Sequence, residues 1–195
     1  MRRGKSGANE AGLIVRDPWR GAQGDGLTAQ GRDQVEATAH SAWQRSLADS
    51  TLSLVSAPFL RAQETARIAA QIWAVSSIQT DERLRERACG QFEMAQDESY
   101  EQVWAQDRID PEHRQGGVES VADVWERSCS LVQELDWGTT DTTFVLVTHG
   151  DVASALLCGM AQEDFRRHRE LYALHTAEIR QVKIKAEMKG KPGCQ

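Results

Sequence analysis

The sequence predicts an α/β fold, with a parallel core sheet flanked by helices. Three observations carry this. The chain has 195 residues, 40% of them hydrophobic and 27% charged, which is the size and composition of one globular domain that can bury its own core. Short apolar runs with β-branched members stand at Thr51–Ser56 (TLSLVS) and Phe144–Thr148 (FVLVT). Each is followed by a helix-length stretch with apolar residues three to four positions apart. Strands alternating with helices of this length form βαβ units, whose strands run parallel and whose crossovers are right-handed.

Residues 1–26 are polar and punctuated by Gly21, Gly24 and Gly26, the pattern of a loop. Thr28 is placed to cap a helix over 29–47, with Val35, Ala39, Trp43 and Leu47 on its apolar stripe. Ala57-Pro58 ends the first strand, and a helix follows over 60–73 with Ala62, Ala66, Ala69 and Trp73 on one face. Residues 77–80 read as a short second strand. The stretch 81–117 is charged, carries Gly90, Pro111, Gly116 and Gly117, and reads as a long loop excursion with some helix. Ser120 caps the next helix, whose stripe is Val121, Val124, Ser128, Leu131 and Leu135. The FVLVT strand turns at His149-Gly150 into an apolar helix over 151–160. Ile179, Val182 and Ile184 suggest a last strand. The domain therefore spans residues 1–185, and 186–195 form a polar tail.

Several functional classes are excluded or disfavoured at this point. Acidic residues outnumber basic ones 29 to 23, a net charge of −6, which argues against nucleic acid and acidic membranes as partners. No apolar run reaches the ~20 residues of a membrane span. Cys89, Cys129, Cys158 and Cys194 lie far apart without a C-x-x-C pair, as expected of reduced thiols in a cytoplasmic protein. His40, His113, His168 and His175 have no metal-ligand spacing and read as surface or helix-face residues, so no metal or other cofactor is expected. Gly4-Lys5-Ser6 mimics the end of a P-loop but lacks its leading glycine and strand.

Ligands of parallel α/β sheets bind beyond the carboxyl ends of the strands. Arg61 follows the first strand, Glu86 the second and His149 the FVLVT strand, so all three are expected at one sheet edge although 25 and 63 positions separate them. Together they suit a phosphate monoester. Guanidinium pairs two phosphate oxygens, imidazole donates to a third or attacks phosphorus, and a carboxylic acid protonates the leaving alkoxide. Taken singly, Arg61 also reads as a solvated surface residue and Glu86 as part of a solvated charge cluster with Glu82, Arg83, Arg85 and Arg87.

Five segments in order resemble the histidine phosphatase superfamily, the phosphoglycerate-mutase-like proteins. Leu27-Thr28-Ala29-Gln30-Gly31 with Gln34 is similar to its L-T-x-x-G-x-x-Q, and the stretch from Ser56 through Arg61 to Ala66 to its S-S-P-x-x-R-A-x-x-T-A. Leu84-Arg85-Glu86 with Gly90 and Glu93 resembles L-x-E-x-x-x-G-x-x-E. Gly117-Val118-Glu119-Ser120 resembles G-x-E-S, and Val147-Thr148-His149-Gly150-Asp151 resembles the second-histidine motif. The resemblance implies a three-layer sandwich with a mainly parallel central sheet, and phosphomonoester hydrolysis through a phosphohistidine.

It also implies roles for single residues. The family's R-H-G-x-S/T-x-x-N motif falls on Arg2-Arg3-Gly4-Lys5-Ser6-Gly7-Ala8-Asn9, so Arg3 stands at the position of the nucleophilic histidine. Arg2, Asn9, Arg61 and His149 become the phosphate-binding set and Glu86 the proton donor. A guanidinium has no free lone pair and is not a nucleophile. The family's first strand precedes this motif, whereas only Met1 does here, so that strand is expected to be truncated. Tyr100 and Trp104, in the 81–117 excursion, are placed to meet the organic part of a substrate. Two functions remain: a phosphomonoesterase with impaired chemistry, or a catalytically inactive domain that binds phosphate or a small phosphorylated metabolite.

Overall fold

Three strands form the sheet: β1 (Thr51–Ser56), β2 (Ile78–Thr80) and β3 (Thr142–Val147). They lie in the order β2-β1-β3 and both pairings are parallel, with Ser56 opposite Thr80 on one side and Val147 on the other. The structure, a computed structural model, describes residues 1–17, 20–21, 24–136 and 142–182. The tail expected at 186–195 lies outside the described residues. Seven α-helices are described: α1 (Gly7–Ala11), α2 (Ala29–Ala42), α3 (Leu60–Ile72), α4 (Tyr100–Ile109), α5 (Val121–Asp136), α6 (Gly150–Met160) and α7 (His168–Tyr172). Helices flank the parallel sheet, as expected.

The caps act as the sequence predicts. Thr28 Oγ1 accepts from Gly31 N at 3.0 Å, and Ser120 Oγ accepts from Asp123 N at 3.0 Å, each satisfying an otherwise unpaired first-turn donor. Helix α2 ends sooner than predicted, because Trp43–Leu47 widens into a π-turn. Helix α3 presents Ala62, Ala66 and Ala69, all fully buried, and its small side chains let α2 approach closely. Trp73 at its end donates its indole N–H to Ala39 O at 2.9 Å, tying the two helices together. The excursion contains α4 and several 3₁₀ turns.

The N-terminal residues lie on the open side of β3. Arg2 bridges Thr148 in parallel, with Thr148 N donating to Met1 O at 3.0 Å and Arg3 N to Thr148 O at 2.9 Å. Beyond them, Arg2 N donates to Glu178 O and Ala177 N to Arg3 O. The strand predicted around Ile179, Val182 and Ile184 is not formed at 179–182, and Ile184 lies outside the described residues. Pairing stops at 177–178, and Val182 is exposed.

Segment 4–6 rests on the start of α2. Thr28 N donates to Lys5 O at 3.0 Å, and Lys5 N donates to Gln34 Oε1 at 3.2 Å. A Cβ on Gly31 would stand 2.0 Å from Lys5 O, a backbone atom that cannot rotate away. Gly31→Ala is therefore expected to destabilise the fold by about 1–3 kcal/mol, as overpacking does. Thermal unfolding checks this, and an unchanged melting temperature would show that segment 4–6 yields freely.

Candidate functional site

The carboxyl ends of all three strands open onto one edge, and their following residues meet there. His149 caps the N-terminus of α6 directly after β3 and is fully buried. Thr148 Oγ1 donates to Leu84 O at 2.8 Å, which pins the 84–86 segment to the end of β3. Glu86 is thereby held with Oε2 at 3.7 Å from His149 Nδ1, while its Oε1 accepts from Arg87 N at 3.0 Å. Arg61, in the first turn of α3, lies with Phe59 against its guanidinium at 4.8 Å, and the same ring meets His149 edge-on at 4.9 Å. Arg61 donates to Asp25 Oδ2 at 2.7 Å and to Val15 O at 2.8 Å.

Arg3 is buried beside them. Its guanidinium donates to Gly4 O at 2.8 Å and to Asn9 Oδ1. Gly4 N donates to Thr65 Oγ1 at 3.1 Å, fixing the segment to α3. Burial, and then the nearby Arg61 and Arg2, push the Arg3 guanidinium down to about 9, so it remains a cation at neutral pH. Arg2 is half-buried and donates to Leu174 O. Asn9 is exposed, and its amide oxygen is directed at Arg3 and at Ser6 N. Burial, followed by Arg61 and Arg3, lowers His149 well below the ordinary imidazole range, so the ring is neutral.

Five buried nitrogens of this cluster have no hydrogen-bond partner: Nε of Arg2, Arg3 and Arg61, and both ring nitrogens of His149, one of which is a donor in the neutral ring and the other an acceptor. Buried polar groups are almost always paired. So many unpaired nitrogens among adjacent cations mark a place for an anion that accepts several hydrogen bonds.

Three charged residues at this edge had no local signal. Arg16 lies in the segment read as loop, yet it is buried and donates to Asp151 Oδ2 at 2.6 Å and to Tyr100 Oη at 3.1 Å. It also stands 3.9 Å from Glu86 Oε1. Arg169 reaches Asp151 Oδ1 at 3.2 Å. Burial alone would raise the Asp151 carboxyl, but Arg16 and Arg169 outweigh it and hold it far below the usual range. Asp25 pairs Arg61 and accepts from Ala8 N at 2.7 Å. Tyr100 and Trp104, flagged by sequence, stack on each other at 5.3 Å beside Arg16.

Two histidines depart from expectation. His113 and His168 are buried rather than on the surface. His113 Nε2 lies 2.9 Å from Asp107 Oδ1, and Arg87 forks onto the same carboxylate at 2.7 Å through each terminal nitrogen. That buried carboxylate, invisible to residue spacing, compensates the burial of His113, whereas His168 Nδ1 pairs with Phe165 O at 2.8 Å. Among the described residues no group of three or more metal-ligating side chains comes together, and no helix is long and apolar enough to cross a membrane.

No curated protein matches the chain. Among solved structures, mycobacterial glucosyl-3-phosphoglycerate phosphatase in complex with VO3 superposes with a TM-score of 0.74 at 25% identity, over 90% of this chain and 87% of that one. The same phosphatase with inorganic phosphate superposes at 0.69, also at 25% identity, over 90% and 83%. A putative alpha-ribazole-5'-P phosphatase of Escherichia coli, 20% identical over 91% and 85%, shares the fold at a TM-score of 0.69. The model of the histidine phosphatase superfamily (branch 1) matches residues 1–190. With a parallel sheet of this order and a match over nearly its whole length, the chain belongs to the histidine phosphatase superfamily, branch 1.

Proposed function

We propose that this protein binds the phosphate group of a small phosphorylated metabolite in a cage of Arg2, Arg3, Arg61 and His149, and that hydrolysis through a phosphohistidine is impaired. The observation that carries the proposal is the set of buried N–H groups without a protein acceptor, Nε of Arg2, Arg3 and Arg61 and the one N–H of the neutral His149 ring. Charge supports it. Three guanidinium groups face two carboxylates, Asp25 and Glu86, and like charges ~4 Å apart repel by roughly 1–4 kcal/mol between bulk water and a protein surface. A phosphate dianion reverses that balance. That the mycobacterial relative was solved with VO3 and with inorganic phosphate supports an oxyanion as the ligand.

Impairment follows from Arg3. In this reading it occupies the nucleophile's position, and a protonated guanidinium holds a phosphate but does not attack it. Glu86 keeps the proton donor's place beside His149. Asn9 acts by orienting Arg3. The protein belongs in the cytoplasm, where the metabolite is met in solution, and nucleic acid is no partner for a chain of net charge −6.

Calorimetry with inorganic phosphate or vanadate tests this. Binding is expected at neutral pH. Because the Arg3 guanidinium sits at about 9 and an anion favours its charged form, affinity is expected to hold from about pH 7, above which phosphate is the dianion, and to fall as pH rises through about 9. Absence of binding to folded protein overturns the proposal, and affinity that climbs above pH 9 removes Arg3 from the cage.

A further inference from the structure

We infer that Asp107 is a positioning residue, which acts through Arg87 to fix the carboxyl group of Glu86 at the edge where the phosphate cage lies. This rests on the reading of Glu86 as proton donor given above. Asp107 belongs to α4, outside the cage, and it is fully buried together with Arg87. Arg87 forks onto it, each terminal nitrogen donating to one oxygen at 2.7 Å. His113 Nε2 meets the same carboxylate at 2.9 Å. The Nε of Arg87 donates to Glu119 O at 2.6 Å, so the guanidinium is held by three bonds. The backbone N of this same residue donates to Glu86 Oε1 at 3.0 Å.

Local structure does not aim Glu86. Residues 86–88 belong to no helix or strand, so no regular ladder of hydrogen bonds sets the direction of its side chain. The backbone on either side is held without Asp107. Leu84 O accepts from Thr148 Oγ1 at 2.8 Å. Ala88 N donates to Glu119 Oε2 at 3.2 Å, and Glu119 N donates to Ala88 O at 3.0 Å. Nor is stability the fork's main contribution. A buried ion pair gives up the hydration of both charges, and packed apolar residues of similar size often serve a fold equally well. A bidentate guanidinium–carboxylate pair supplies direction. It sets α4 against segment 84–87 in one register, and with it the peptide N–H that meets Glu86 Oε1. The other oxygen of Glu86 then lies 3.7 Å from His149 Nδ1.

A displaced proton donor leaves a chemical signature. With Arg3→His, the new imidazole forms an N–P bond as the ester P–O bond breaks, and the departing oxygen takes the proton of Glu86. The more basic that oxygen, the more the step depends on the proton. Phenolate is far more basic than 4-nitrophenolate. Misplacing Glu86 therefore slows phenyl phosphate more than 4-nitrophenyl phosphate, whereas a loss of folded protein slows both alike.

The test measures turnover of these two esters by the full chain carrying Arg3→His, alone and with Asp107→Asn, Glu86→Gln or both. Asp107→Asn is expected to slow phenyl phosphate by about 10- to 100-fold, a part of what a placed general acid contributes, and 4-nitrophenyl phosphate by much less. Once Glu86→Gln is present, Asp107→Asn should add little, because residues that act as a unit are not additive. Equal slowing of both esters by Asp107→Asn, or an undiminished effect beside Glu86→Gln, overturns the inference and leaves Asp107 a structural residue. If Arg3→His hydrolyses neither ester, the reading of position 3 fails and the inference with it. Asp107→Asn strands the charge of Arg87. Should it not fold, Arg87→Lys, which keeps the ion pair and loses the fork, is measured in the same way, with the same selective loss expected and equal slowing again overturning the inference.

Discussion

Arg3→His is expected to raise hydrolysis of a generic aryl phosphate by several orders of magnitude over the unmodified chain. On the proposed reading, the other groups of the covalent route already stand at this edge. Arg61 is buried and fixed by Asp25, and His149 is neutral and buried beside it. The Glu86 carboxyl stands 3.7 Å from His149. An imidazole at position 3 supplies the missing lone pair. It attacks phosphorus, the P–O bond to the aryl group breaks, and the departing oxygen takes its proton from Glu86. Water then cleaves the phosphohistidine, returning the imidazole and releasing phosphate. Dividing hydrolysis into two displacements lowers each barrier. The exchange also removes one of three neighbouring cations, so it relieves repulsion even as it leaves space. Side-by-side assays decide the matter. Equal turnover by both chains would place the nucleophile elsewhere, with His149 the first residue to test.

Which parts of this site were legible in the sequence follows from how far apart the determining residues lie. β1 and β3 are read from runs of adjacent apolar residues, and α2 and α5 from caps that act over three positions, Thr28 on Gly31 and Ser120 on Asp123. Arg61, Glu86 and His149 follow from these, because a parallel sheet places what succeeds each strand at one edge. Arg16 does not follow. Its burial is imposed by pairing of its segment with residues some eighty positions away, through Ile14 N to Ala95 O and Met94 N to Ile14 O, both under 3.0 Å. Nothing in Leu13-Ile14-Val15-Arg16 announces that partner. His113 and His168 are hidden for the same reason, since Asp107 and Arg87 gather around them only in three dimensions. The last strand fails differently. Its apolar residues are present, but the open edge beside Arg2 and Arg3 is already taken by Ala177 and Glu178.

Asp25→Asn is expected to lower the stability of the unliganded protein by about 3–5 kcal/mol, the usual cost of removing one partner of a buried ion pair. Asp25 is the 2.7 Å counter-ion of Arg61, and it also receives Ala8 N from α1, so it ties the N-terminal segment to α3. Without its charge, the guanidinium of Arg61, 2% exposed, remains buried among Arg3 and Arg2 with no carboxylate touching it. Arg61→Met leaves the opposite charge bare and is expected to cost a similar amount. The double variant, with neither charge, should cost less than the sum of the two. Denaturant unfolding of the four proteins measures this coupling directly. Saturating phosphate separates the structural role of the pair from the binding role of the cage. A dianion stabilises any protein that binds it, by about 2.7 kcal/mol at a hundred times its dissociation constant. In Asp25→Asn it also replaces the missing counter-ion, so at one phosphate concentration it should recover more stability there than in the unmodified chain, and less in Arg61→Met, which keeps only Arg2, Arg3 and His149. Equal recovery in all of them would mean that phosphate does not reach Arg61, and the guanidinium would then serve only to hold Asp25 and the segment behind it.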